Sequence, residues 1–288
     1  RTVCKLAQWS VATYLEAERE LGQVLLCWKV GSLEIAETPE RWFELKRKLG
    51  NCKAWGLEAY LVGREEIGSL VPIIKTDDLY GALHVPSDLD VRGVALASAL
   101  ARLSERDGAT TYYPNTPVTG IDVVDGRVKA VLTDQGRIET ELVVCAAGLW
   151  GPMIGRMVGL TLPMTPMQHL YARTTPLTEL AGETVDVRHP IVRQQDHDLY
   201  YRQHGEAYGF GSYRHAPLIV PPEQLPRHDH PAEFPSVADD LADSWAVARE
   251  RFPALAAAEI AAHFNGLFSF TTDGNSIVGE SPDVRGFW

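Results

Sequence analysis

A mixed α/β and α+β fold, built from two interleaved domains, is predicted by three observations. Residues 107 to 150 run from a helix end through a short strand and a three-stranded meander to an apolar strand that stops at Cys145-Ala146-Ala147-Gly148-Leu149-Trp150. Within that stretch Leu142-Val143-Val144-Cys145-Ala146-Ala147 shows no polar alternation, the pattern of a parallel strand covered on both faces. From Thr165 to Phe270 the chain changes character, to alternating strands rich in aromatic residues and prolines, as in an antiparallel sheet with helices beside it. The first two observations fit the second half of a dinucleotide-binding domain, and the third fits a substrate-side layer.

The elements follow in order. Val3, Leu6, Ala7, Val11, Tyr14 and Leu15 recur at helical spacing, and Gly22 can end that helix. A strand is expected from Trp28 to Ala36. Thr38-Pro39 then supplies an N-cap and a proline at the first helical position, opening a helix through Trp42, Phe43, Leu45 and Leu49. Leu57 to Val62 reads as a strand, a short helix ends before Pro72, and Gly81 to Val85 leads into an Ala/Leu-rich helix over 92 to 106. In the meander, Val118 to Val124 and Val128 to Thr133 are joined by Asp125-Gly126, which supplies the positive φ values of a tight hairpin turn, and Gln135-Gly136 makes the next turn. A helix near 236 to 252 is bounded by Ser236 and Pro253. These elements divide into a partial nucleotide-binding domain at 1–28, 83–164 and 266–288, lacking its first βαβ unit, and an antiparallel-sheet substrate domain at 29–82 and 165–265.

Composition narrows the partners. With 27 Lys and Arg against 38 Asp and Glu, the net charge of −11 gives no general attraction to nucleic acid or an anionic membrane, so a small molecule is the expected partner. No apolar stretch reaches the roughly 18 residues of a membrane span. Cys4, Cys27, Cys52 and Cys145 form no Cys-x-x-Cys pair, which fits a reduced compartment: the cytoplasm, or the mitochondrial matrix in a eukaryote. His228-Asp229-His230 sits among prolines and reads as a solvated excursion, so no metal is expected. Ala146, Ala147 and Gly148 leave little side-chain bulk where a strand exits its sheet, the place where open α/β sheets bind ligands. A simple small-residue turn reads equally well there.

Six segments, in order, carry a resemblance: Lys46-Arg47-Lys48-Leu49-Gly50, Ala54-Trp55-Gly56, Gly81-Ala82-Leu83-His84-Val85-Pro86-Ser87-Asp88, Ala147-Gly148-Leu149-Trp150-Gly151, Gln168-His169-Leu170-Tyr171 and Asp198-Leu199-Tyr200-Tyr201-Arg202. Together they resemble the dimethylglycine oxidase and sarcosine/dimethylglycine dehydrogenase group of the D-amino-acid-oxidase-like flavoproteins, over essentially the whole chain. The resemblance implies FAD in one domain and a small N-methylated amino acid laid over the flavin from the other. It also implies hydride transfer from an N-methyl carbon and an iminium that is hydrolysed or passes its one-carbon unit to folate in domains outside this sequence. Oxygen or an electron-transfer flavoprotein would take the electrons.

Residue by residue, the resemblance implies a proton relay at His169 and Tyr200; the residues alone favour two hydrogen-bonding side chains inside a sheet of aromatic residues. Guanidinium offers paired donors for a substrate carboxylate, which makes Arg202, with Tyr213 and Arg173, the substrate-binding candidates, with surface salt bridging the commoner role for any one arginine. Along a strand Tyr200 and Arg202 face one side together, and Tyr201 the other. For FAD, Val118 inherits the adenine-side position, Ala147, Gly148 and Trp150 follow the strand end, and Phe270-Thr271-Thr272-Asp273-Gly274-Asn275-Ser276 resembles the family's turn beside the flavin, bringing in Asp273 and Gly274. That turn departs from the family at Thr272 and Ser276, where relatives carry proline.

No Gly-x-Gly-x-x-Gly is present; Gly209-Phe210-Gly211 lacks the third glycine and lies in the substrate half. The phosphate-binding helix start, the ribose-binding acid and the histidine to which relatives attach FAD would precede Arg1. An internal fragment of a longer oxidoreductase is therefore expected, poor at holding FAD alone. Competing readings are a flavin oxidoreductase for another amino or imino acid, and a noncatalytic subunit without its cofactor half.

Overall fold

The structure, a computed structural model, describes residues 2–22, 27–106, 108–216, 218–226, 233–236 and 238–288; the His228-Asp229-His230 segment lies outside the described residues. In chain order the elements are α1 (Thr2–Leu21), β1 (Cys27–Trp28), β2 (Ser32–Ala36), α2 (Pro39–Ala54), β3 (Tyr60–Val62), α3 (Arg64–Leu70), β4 (Gly81–Val85), β5 (Asp90–Val91) and α4 (Gly93–Arg106). The meander follows as β6 (Val118–Val124), β7 (Arg127–Thr133) and β8 (Gly136–Glu139), then α5 (Gly151–Met157) and β9 (Met164–Thr174). The chain continues through β10 (Ile191–Gln194), β11 (Leu199–His204), β12 (Ala207–Ser212), α6 (Ala242–Arg251) and β13 (Ile260–Thr271). Among the described residues these strands form an eight-stranded sheet in the order β13-β9-β12-β11-β10-β2-β4-β3, a three-stranded sheet β6-β7-β8, and a β1-β5 ladder.

The chain divides into two compact units. Unit 1 comprises Arg1–Thr111, Leu170–His215 and Pro235–Phe264, and unit 2 comprises Tyr112–His169, Ala216–Phe234 and Asn265–Trp288.

Local chemistry explains the elements of unit 1. The Thr38 hydroxyl accepts from the Arg41 backbone N–H at 3.1 Å, and Pro39 occupies the first helical turn, so α2 starts where the sequence places it. The strand expected over Trp28 to Ala36 is broken in two. Gly31, at φ +77°, turns the chain against Val85 and Pro86, where an added Cβ would lie 3.0 Å from the Val85 carbonyl oxygen. Thus β1 pairs with β5, while β2 enters the large sheet between β4 and β10, parallel to β10.

The large sheet is buried by alternation. Leu33 and Ile35 of β2 point into one core with Leu199, Tyr201, Tyr208, Phe210, Phe252 and the α3 residue Ile67. Ala36, with Leu83 and Val85 of β4, points the other way, against Leu45 and Cys52 of α2. At the first core's edge the buried Arg251 guanidinium binds Glu37, Asp78 (2.7 Å) and the Lys75 carbonyl (2.6 Å), and Gln194 donates to Glu37 at 2.8 Å. Removing one partner from such a cluster would leave an uncompensated buried charge, which is strongly destabilising.

In unit 2, Asp125 (φ +50°) and Gly126 (φ +70°) form the β6-β7 turn with both positive φ values that a two-residue hairpin needs. The run Leu142 to Ala147 departs from expectation. Instead of a strand covered on both faces it is an extended segment with a single parallel bridge, Val143 to Phe287. Val143 and Cys145 pack with Ile121, Val128 and Phe287, but Leu142 and Val144 are exposed. Apolarity marks residues able to be covered; pairing needs a neighbour on each edge, and among the described residues the backbone bonds that tie this run to a segment distant in sequence all go to 286–288.

Phe252 is fully buried, its ring 4.5 Å from that of Tyr201 and 5.2 Å from that of Tyr208. Phe252→Ala is expected to lower the unfolding free energy by about 3–5 kcal/mol, read as a fall in the urea midpoint at unchanged slope.

Candidate active face

Strand β11 divides its side chains between two environments. Leu199, Tyr201 and Gln203 are buried in the core, while Tyr200, Arg202 and His204 share the opposite face and are partly exposed. Register extends that face across the sheet: Tyr200 stands opposite Gly211 of β12, which stands opposite Tyr171 of β9, and Arg202 stands opposite Gly209, which stands opposite Arg173. Both central positions of these two rows are glycines.

The reason is steric. A Cβ on Gly209 would lie 2.0 Å from the Tyr171 hydroxyl and 2.8 Å from His204 Nε2, and a Cβ on Gly211 would lie 2.1 Å from the Tyr200 ring. The tyrosines therefore lean over β12 from either side, their ring centroids 5.9 Å apart. Gly209-Phe210-Gly211, which in the sequence is the nearest approach to a phosphate-binding fingerprint, is a strand with room for two aromatic rings. Tyr171 also stacks on Phe264, with 5.2 Å between centroids, and Tyr200 lies 5.9 Å from Tyr213.

A charged chain runs beneath the hydroxyls. Arg202 binds the buried carboxylate of Asp90 through two guanidinium nitrogens, one at 2.8 Å, and reaches Asp186 at 3.3 Å. Burial works against this charge, yet the hydrogen bond and charge of Asp90, with Asp186, outweigh it and raise the Arg202 pKa. The same guanidinium contacts His204 Nδ1, and His204 Nε2 lies 2.7 Å from the Tyr171 hydroxyl oxygen. Burial first, then the Arg202 charge, push the His204 pKa down to about 4, so its ring is neutral at pH 7. Burial likewise holds the Tyr171 and Tyr200 hydroxyls well above the ordinary phenol range, so both stay protonated.

The sequence-predicted residues fall into two groups. Tyr200, Arg202, Arg173 and Tyr213 come together in unit 1 around this face. Arg202, expected to hold a substrate carboxylate, is committed to Asp90 and Asp186. Arg173 and Arg193 make no ion pair among the described residues; Arg193 stands in register with Tyr200 on the same sheet. His169 belongs to the unit 2 part of β9, where it is buried with its ring 4.5 Å from that of Phe268.

Every cofactor-side candidate also lies in unit 2. Val118 opens β6 opposite Thr133, and Ala147 precedes a 3-10 turn, Gly148–Trp150, that starts with Gly148 at φ +52°. The Trp150 indole donates to the Pro226 carbonyl at 3.1 Å. Asp273 accepts from the Asn275 backbone at 3.0 Å, which with further Asn275 and Thr271 bonds lowers its pKa, and Gly274 turns at φ +70°.

Sequence reading missed Tyr171, His204, Asp90 and Arg193 as parts of the face. For His204 a signal was present, because it continues the Tyr200, Arg202 alternation; Tyr171 and Asp90 needed the register.

The family described as FAD dependent oxidoreductase matches residues 1–288. Human mitochondrial sarcosine dehydrogenase is 32% identical over 290 residues, covering 95% of this chain and 29% of that protein. Rat mitochondrial dimethylglycine dehydrogenase is 29% identical over 284 residues, covering 97% and 33%. The chain thus spans about a third of the length of these relatives. Among solved structures, L-proline dehydrogenase from P. horikoshii superposes with a TM-score of 0.82 at 22% identity, over 97% of this chain and 70% of that one, a likeness of fold.

The folded-state pKa of His204, about 4, lies below its ordinary value of 6.5. Between these values the unfolded chain takes up the proton and the folded chain does not, so this contribution to stability is complete above about pH 6.5 and is lost as the pH falls through 4. His204→Asn is expected to flatten the decline of unfolding free energy from pH 6.5 to 4, measured by urea titration at stepped pH; an unaltered slope would contradict the depressed pKa.

Proposed function

We propose, from the premise that this chain belongs to the FAD dependent oxidoreductase family, that it is the central part of an enzyme oxidising an N-methylated glycine, sarcosine or dimethylglycine. The observation that carries the reading is the face around Tyr171 and Tyr200: neutral hydroxyls beside Arg173 and Arg193, which make no ion pair among the described residues, a lining suited to a small zwitterion. The names of the two mitochondrial relatives support the substrate class.

The cofactor side is compatible with FAD. Ala146 and Ala147 offer only methyl groups, and Gly148 has open space where a Cβ would stand, with nothing within 4 Å. Backbone here is free of the side-chain bulk that would hold a flat dinucleotide away. In this reading Ala147, Gly148, Trp150, Val118, Asp273 and Gly274 hold the cofactor. Bound FAD supplies a two-electron acceptor for hydride.

This chain's own residues manage the proton. A substrate ammonium must be deprotonated before its lone pair assists departure of hydride from the N-methyl carbon. His169 and Tyr200, each assigned from its sequence context, are the proposed groups: histidine accepts a proton near neutrality, and a protonated phenol both donates and accepts hydrogen bonds. The iminium product is hydrolysed or passes its one-carbon unit to folate. Oxygen or an electron-transfer flavoprotein completes the cycle, in the mitochondrial matrix for a eukaryotic protein.

In full-length protein loaded with FAD, sarcosine or dimethylglycine is expected to bleach the flavin absorbance. His169→Asn and Tyr200→Phe should each slow that bleaching by about 10²–10⁴-fold, with loss of the acidic limb of the pH profile in His169→Asn. Bound flavin that ignores both substrates would redirect the reading to another amino or imino acid, and full-length protein without flavin would favour a noncatalytic subunit.

A further inference from the structure

Two arginines stand at opposite sides of the face that carries Tyr171 and Tyr200. Arg193 of β10 is directly opposite Tyr200 of β11, and Arg173 follows Tyr171 by two residues on β9, opposite Gly209 of β12. Residues directly opposite in a ladder, and residues two apart on a strand, point to one face, so both guanidiniums share it with the two phenols. Strands β10, β11, β12 and β9 are neighbours in that order. At about 4.8 Å per strand and about 3.3 Å per residue, the two arginine Cα atoms are about 16 Å apart. Extended side chains leaning inward close most of that span and leave room between them for a small molecule with an acid group at each end.

Both arginines are exposed, and neither makes an ion pair among the described residues. Nearby carboxylates are taken. Glu34, in register with Arg193, is bound by Lys48 at 2.6 Å, and Asp90 and Asp186 hold Arg202. Both charges reach the phenols: burial raises the pKa of Tyr171 and Tyr200, and against it Arg173 acts on Tyr171 and Arg193 on Tyr200. An amino acid with one carboxylate compensates one of these two cations and leaves the other facing its amine. A second carboxylate compensates both, and each guanidinium–carboxylate pair adds charge-assisted hydrogen bonds.

We propose that the substrate is an N-methylated amino acid with two carboxylates, of the N-methyl imino diacid class, held between Arg173 and Arg193 with its nitrogen between them. The assignment rests on the amine oxidation proposed above and narrows its substrate. N-methyliminodiacetate is the simplest member: it is dimethylglycine with a carboxylate in place of one N-methyl hydrogen. A C–H bond of its remaining N-methyl group breaks, the hydride leaves for the flavin, and the nitrogen lone pair forms the C=N bond of the iminium. Water then adds to that carbon and the C–N bond breaks, releasing formaldehyde, a proton and the demethylated diacid.

The test compares N-methyliminodiacetate with dimethylglycine on FAD-loaded full-length protein. The diacid is expected to have a kcat/KM about tenfold higher or more, the scale of one hydrogen bond between charged groups. Arg173→Gln and Arg193→Gln should each bring the ratio of the two substrates close to one, with the change falling on the KM for the diacid. Arg193→Lys keeps the charge without the fork and should retain part of the preference. Calorimetry with oxydiacetate and methoxyacetate, ether analogues without the amine nitrogen, reads binding apart from turnover. Oxydiacetate should bind about tenfold tighter, a difference that both glutamine variants lose. Dimethylglycine oxidised as well as the diacid, or equal binding of the two ethers, overturns the diacid class and leaves the amine oxidation standing. A diacid preference that survives in both glutamine variants overturns the assignment to these arginines. Bleaching by neither amine overturns the oxidation and with it the substrate; oxydiacetate binding that depends on both arginines would then stand alone as a diacid site.

Discussion

The polar face of the sheet depends on two missing methyl groups. Gly209 and Gly211 of β12 let rings from the flanking strands close over the strand between them, at separations where a Cβ would overlap the Tyr171 hydroxyl or the Tyr200 ring. Glycine weakens a strand interior, because it has no side chain to pack and loses more chain entropy on ordering. Here that cost is offset on the opposite side of the same strand, where Tyr208 and Phe210 are fully buried in the core. The strand is thus apolar and heavy on one face and empty on the other, and the emptiness brings Tyr171, Tyr200 and His204 together.

The second constraint is electrostatic. Arg202 and Arg251 serve similar ends in different places within unit 1: each is a buried or half-buried guanidinium held by two carboxylates, Asp90 and Asp186 in one case, Glu37 and Asp78 in the other. Desolvating such charges is expensive, and the pairs hold because each guanidinium has several acceptors. The two clusters differ in what lies next to them. Arg251 ends at a backbone carbonyl and, through Glu37, at a buried glutamine. Arg202 ends at an imidazole and, through it, at a phenol on an open face.

Much of this was legible in the sequence, and what was not has a physical cause. The Thr38-Pro39 helix start and the Asp125-Gly126 turn are local chemistry, set by residues within a few positions of each other, and the structure has both where the residues call for them. The alternation placing Tyr200 and Arg202 on one face is local too. Asp90 and Arg202 are 112 residues apart, and no periodicity predicts which carboxylate meets a given arginine. The break at Gly31 depends on the close approach of Val85 and Pro86, a tertiary fact. The run Leu142 to Ala147 failed as a strand because apolarity reports what a segment could bury and is silent on which neighbours it finds.

That long-range pairing also reassigns the arginines. A guanidinium already satisfied by a buried carboxylate makes a poor receptor for a second one, since drawing it away would leave Asp90 charged, buried and unpaired. The groups on this face with charge to offer an anion are therefore those that make no ion pair of their own among the described residues. Arg193 is one: it stands in register with both Tyr200 and Glu34, but Lys48 takes the Glu34 carboxylate at 2.6 Å, and among the described residues Arg193 makes no ion pair beside Tyr200 and Tyr213. Arg173 is another, beside Tyr171. Among the described residues two arginines without an ion pair thus flank two protonated phenols, while the committed arginine stands one contact further back, against the histidine that touches Tyr171.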